Sequence, residues 1–131
     1  MIASARASLI TLIAAPTAWA AHFLTSYVIA ATACAKTMAD ARVFTGAAWP
    51  DLTPARIAIG VATLAALGVI ALSTRQALGH WRDGDAEPPY DDATRDDRQQ
   101  FLGYATLLLC GLSAVGVVFV ALPAVFIGDC R

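Results

Sequence analysis

The chain has 131 residues, 58% of them hydrophobic and 15% charged, with a net charge of −1 and a mean hydropathy of +0.62. That composition is far more apolar than a soluble domain's, and near-neutral charge without a basic run excludes a nucleic-acid partner or a polybasic headgroup site. A chain of this length is one domain, with no polar segment long enough to build a separate core in water.

Three stretches carry no charged side chain, at residues 7–35, 57–74 and 101–128. Each reaches the roughly 18 to 20 apolar residues that cross a hydrocarbon core about 30 Å thick. The expected fold class is all-α and integral to the membrane. Three transmembrane helices are expected over about 7–35, 57–78 and 99–128, with a short helix in the first loop and a polar second loop.

The first stretch opens like a secretory signal, with Arg6, an apolar run and Ala18-Trp19-Ala20 in the style of a cleavage site. The run then continues through His22, Phe23, Leu24 and Tyr27, too long for a signal core, and Trp19 sits poorly beside a cut. An uncleaved first helix is expected. Ser8, Thr11, Ala15, Ala18, His22, Thr25, Ile29 and Thr32 follow one another at alternating steps of three and four. They form a small and polar seam on one face, suited to close packing in lipid. Pro16 removes the donor to the Leu12 carbonyl, so a bend one turn before His22 is expected.

The first loop is long enough for a short interfacial helix over 38–44, with Trp49-Pro50 as an aromatic anchor. Thr53-Pro54 reads as an N-cap followed by the first helical residue. In the second span Ala58, Ala62 and Ala66, with Gly60 and Gly68 nearby, predict a small-residue packing face. Arg56 and Arg75 bracket that span and can snorkel outward. The segment 79–100 holds seven of the ten acidic residues and is expected to be a solvated turn. Asp83-Gly84-Asp85 lacks the glycine spacing and distal glutamate of a calcium loop. Asp92 or Thr94 is expected to cap the third helix, with Trp81 and Tyr90 as interfacial anchors. That helix presents Gly103, Thr106, Cys110, Ser113, Val117, Ala121 and Ala124 along one side, and Pro123 bends its far end.

Arginine and lysine counts lean towards a cytoplasmic N-terminus and a periplasmic C-terminus. Arg6, Arg75, Arg82, Arg95 and Arg98 lie on one side, against Lys36, Arg42, Arg56 and Arg131 on the other. Cys34 and Cys130 close the first and third spans, which with three crossings emerge on the same side. In an oxidising periplasm a Cys34–Cys130 disulfide would tie the two helices together. Cys110, mid-span, reads as a small hydrophobe.

His22 is the one ionisable side chain deep in a span, and such groups mark function by default. Ligation of a cofactor competes here with a hydrogen bond to a neighbouring helix, to a partner subunit or to the carbonyl freed by Pro16. A b-type haem typically takes two axial ligands, and His80 lies roughly 15 Å or more away by helix rise. No cofactor or metal is therefore expected. HExxH, CxxC, G-x-S-x-G and phosphate-cradling glycine loops are all missing from the sequence, and no enzymatic role is expected.

The string Pro16-Thr-Ala-Trp19-Ala-Ala-His22-Phe23-Leu24-Thr-Ser26-Tyr27, followed by Ala30-Ala31-Thr32-Ala33-Cys34-Ala35-Lys36, resembles a group of small three-span proteins of proteobacteria. Their pattern, P-x-x-W-x-x-H-F-L-x-S-Y ending in a cysteine, accompanies haem–copper cytochrome oxidases of the caa3-like kind. Beyond residues 16–36 the likeness rests on span number and the late cysteine. It implies a bacterial inner-membrane protein, an accessory subunit or assembly partner at the rim of a respiratory oxidase. Trp19, His22, Ser26 and Tyr27 would then contact the larger integral membrane subunits within the lipid bilayer. Two rival readings stay open: a membrane redox or quinone-binding protein built on His22, and a self-associating pore of the holin kind.

Overall fold

The computed structural model describes residues 9–43, 52–82 and 95–126. They form three helices in chain order, α1 (Leu9–Val43), α2 (Thr53–Arg82) and α3 (Arg95–Phe126). All three are long and apolar enough to cross a membrane, over Ile10–Lys36, Thr53–Gly79 and Asp97–Phe126. At 1.5 Å per residue each spans about 40 Å, enough for the hydrocarbon core and part of the headgroup layers. The described residues are thus all helical, an architecture consistent with a three-span membrane protein.

Each helix packs against both others, α2 on α3 most extensively. The topology is up-down-up, with residues 30–34 of α1 beside the start of α2 and the end of α3. At the other end the Gln100 side-chain amide donates to the Trp81 carbonyl at 3.3 Å, joining the start of α3 to the end of α2. That carbonyl belongs to the last turn of α2, whose carbonyls lack an intrahelical donor.

The centre is built from small side chains. Ala15 of α1, Ala66 and Ile70 of α2, and Cys110 and Val117 of α3 form one buried cluster. Lipid tails are as apolar as leucine, so small residues that let helices approach closely drive association. Buried hydroxyls on these faces bond within their own helix, Thr106 to the Leu102 carbonyl at 2.7 Å and Ser73 to Val69 at 3.0 Å.

The face expected for the third helix is the one that packs: Gly103, Thr106, Cys110, Ser113 and Val117 are buried, and Ala121 and Ala124 half-buried. The seam expected on the first helix holds as far as His22 and then drifts. Ser26 and Ala33 turn inward where Thr25 and Thr32 were expected, and both of those threonines are exposed. Alternating threes and fours average about 3.5 residues per turn, and an unsupercoiled helix turns at about 3.6. Thr32 instead bonds the Val28 carbonyl of its own helix at 2.8 Å.

The second helix departs further from its expected face. Ala58, Gly60 and Gly68 are exposed, and a Cβ built on either glycine would meet nothing within 4 Å. Ala66 of the expected face does pack and Ala62 is half-buried, and Ile59, Ile70, Ser73 and Ala77 complete the packed face. The Arg56 amide donates to the Leu52 carbonyl at 3.0 Å, so Leu52 takes the capping position and Thr53, the expected cap, is the first helical residue.

The separate helix expected over 38–44 is corrected: α1 runs unbroken to Val43. No glycine or proline interrupts residues 37–43, so nothing stops the helix there. It also passes through Pro16 without a break in assignment. The solvated segment expected over 79–100 shortens from both ends, since α2 reaches Arg82 and α3 starts at Arg95, with Asp97 and Gln100 buried. Ser8, Trp49-Pro50, residues 83–94 with their proposed caps and Tyr90, and Cys130 lie outside the described residues.

Candidate functional site: a buried histidine beneath an open cleft

His22 lies near the middle of the first span and is 3% exposed. Its Nε2 lies 3.0 Å from Thr63 Oγ1 on α2 and 3.3 Å from Ser26 Oγ, one turn along α1. Thr63 has one hydroxyl proton, and its 2.7 Å contact with the Ile59 carbonyl uses it. The hydroxyl oxygen is therefore the acceptor for the imidazole, and the network assigns the Nε2–H tautomer. Ser26 lies at the longer edge of the same N–H. The other nitrogen, Nδ1, keeps its lone pair, is buried, and meets no donor among the described residues.

Burying a polar group without a hydrogen bond in apolar surroundings is costly, and the His22–Thr63 bond avoids that cost for the N–H. It links α1 to α2 across 41 residues of sequence. Three residues earlier, Trp19 links α1 to α3. A Cβ placed on Gly116 would stand 2.5 Å from the indole Nε1 and 2.8 Å from Cδ1. The ring therefore lies directly on the α3 backbone, where only glycine gives it room. Trp19 and His22 sit one turn apart on adjoining faces of α1 and direct it at its two neighbours.

A cleft of about 530 Å³ opens between the second half of the first span, the first turns of α2 and the last turns of α3. Ser26, Ala30 and Ala33 form one wall, Ala55 and Ile59 another, and Val120, Pro123 and Ala124 the third; Arg56 and Cys34 stand towards its outer end. Its inner end reaches Ser26, the residue that touches His22.

The four residues expected to contact a partner thus divide. His22 and Ser26 are buried and bonded within the chain, while Trp19 is 39% and Tyr27 66% exposed. Tyr27 lines the cleft with its neighbours Phe23 and Ser26. Gly116, Thr63 and Arg56 belong to the same region, and the sequence signalled none of them as partners of the first helix. For Gly116 a tryptophan facing a glycine at matching depth was a usable clue. Cys110 is a free, buried thiol in the small-residue core. No group of three or more metal-binding side chains occurs among the described residues.

No protein-family model matches the chain, no curated protein matches it, and no solved structure matches it.

Proposed function

We propose that the chain is a non-catalytic accessory subunit or assembly partner of a larger membrane complex, a respiratory haem–copper oxidase by the likeness of residues 16–36. The supporting observation is how its side chains divide between inside and outside. The three helices use their polar groups on one another, as in His22 to Thr63 and Gln100 to Trp81. Left facing outward are Tyr27, Thr25 and the bare backbone at Gly60 and Gly68. Such a surface suits a protein neighbour, because small residues admit a second helix and hydroxyls gain a partner there. A cofactor-carrying role for His22 has weaker support, since one ring nitrogen is bonded to Thr63 and the other is enclosed.

In this reading the protein sits in the bacterial inner membrane with its N-terminus cytoplasmic and its C-terminus periplasmic. There a Cys34–Cys130 bridge would hold the outer ends of α1 and α3. Co-purification of the tagged chain from gently solubilised membranes tests the proposal. Oxidase subunits should travel with it, and Gly60→Leu or Tyr27→Ala should release them while the chain itself stays folded. Recovery of the chain alone, or only as a homo-oligomer, refutes it. A mobility difference between reduced and non-reduced samples, lost in Cys34→Ser, tests the bridge.

A further inference from the structure

We infer that the cleft binds a lipophilic carbonyl compound of the quinone class. Its carbonyl oxygen accepts the Ser26 hydroxyl proton, its ring lies along Phe23 and Tyr27, and its tail leaves towards the lipid. The inference stands apart from the docking proposal and needs no larger complex.

An unanswered donor at the inner end of the cleft supports it. Hydroxyls within apolar helices close on a carbonyl one turn back, and Thr32, Thr63, Ser73, Thr74 and Thr106 do so at 2.7 to 3.0 Å. Ser26 does not. Its hydrogen-bond partner among the described residues is His22 Nε2 at 3.3 Å, and that nitrogen carries its own proton towards Thr63. A hydroxyl can accept from an N–H, but its own proton then still needs an acceptor. In the opposite tautomer Ser26 would donate to Nε2, leaving a buried N–H at Nδ1 with no acceptor among the described residues. Either way the cluster holds one donor more than its neighbours take up, at a cost in apolar surroundings. Ser26, 6% exposed, is the member of the cluster that lines the cleft.

Depth decides which acceptor can reach it. The midpoint of the first span, Ile10–Lys36, is Phe23, and Ser26 stands about 5 Å beyond it along the helix axis. A hydrocarbon core about 30 Å thick puts its boundary about 15 Å from the midplane. Phospholipid ester carbonyls stay at that boundary, about 10 Å short of Ser26, and acyl chains carry no acceptor at all. Backbone carbonyls of a neighbouring helix are occupied within that helix. A ring carbonyl on a hydrocarbon tail is not tied to the headgroup layer and reaches the required depth. The walls suit it. At about 530 Å³ the cleft falls in the range of small-molecule sites, and Ala30, Ala33 and Ala124 leave its middle open. Phe23 and Tyr27, one turn apart on α1, line it beside Ser26 and offer aromatic faces to a flat ring.

The test uses the full-length chain, purified in mild detergent and mixed with decylubiquinone or with decylbenzene, which has the same tail on a ring without carbonyls. Retained guest is counted by native mass spectrometry. One decylubiquinone per chain should be held, about tenfold more tightly than decylbenzene, the scale of one hydrogen bond to a buried donor. An isotope-labelled quinone carbonyl should show a lowered infrared stretch in the complex. Ser26→Ala should remove both the preference and the lowered band, and Ser26→Thr should restore them. Ala33→Phe, which fills the channel, should lower retention of both compounds. If that variant does not fold, the two Ser26 variants decide. Equal retention of the two compounds by the unmodified chain overturns the inference. So does a Ser26→Ala variant that keeps the lowered band, or recovery of phospholipid or polypeptide in place of quinone from native membranes.

Discussion

The two halves of this bundle are made from the same residue types and behave differently. From Ala15 to Ala77 and Cys110 the helices close on a core of alanine, serine, cysteine and β-branched side chains. Beyond His22 and Gly116 the alanines at 30, 33, 55 and 124 line an open cleft. Small residues permit close approach but do not enforce it. What closes the inner half is a bulky complement at the right depth, Ile70 and Val117 beside Ala15 and Ala66. At the outer end alanine faces alanine across the cleft.

Substitutions that enlarge a small residue should break this contrast most sharply in the closed half. Gly116→Leu or Ala15→Leu should cost about 3 kcal/mol, the upper range for overpacking a filled interior, as read by detergent-denaturant titration of helicity. The Gly116 effect should shrink when Trp19→Ala removes the ring it strikes. Thr63→Val should cost about 1 to 2 kcal/mol by leaving the His22 N–H with Ser26 alone, and Thr63→Ser should restore most of it. The imidazole nitrogen spectrum of the unmodified chain should show a protonated Nε2 and a bare Nδ1. Gln100→Leu, which removes the tie to the Trp81 carbonyl, should cost about 1 kcal/mol. Ala33→Leu, projecting into the cleft, should stay within about 0.5 kcal/mol of the parent. An equal penalty at Ala15 and Ala33 would erase the distinction between the two halves.

Three apolar runs made the span number and helical class readable from composition alone. The packed side of α3 was equally legible, because glycine, threonine, cysteine and serine at steps of three and four stand out against leucine and valine. On α1 the same reasoning reached His22 and then lost register, since a period of about 3.5 drifts from one of about 3.6 by roughly 20° every two turns, about 60° between Thr11 and Thr32. On α2 it was right only in part, since Ala66 packs in the core while Ala58 faces outward. Small residues attract any close neighbour, and Gly60 and Gly68 lie open in this chain. The imidazole's partner could not be read at all. Thr63 is one of several hydroxyls on three helices, and its pairing with His22 depends on the rotation of α2, which no local pattern sets.

The indole resting on Gly116 also fixes how far α1 can travel along its own axis. Gly116 has Leu112 one turn below it and Val120 one turn above. A slide of α1 by one turn, about 5.4 Å, would carry the ring onto a branched side chain in either direction. Trp19 therefore works as a key in a single notch.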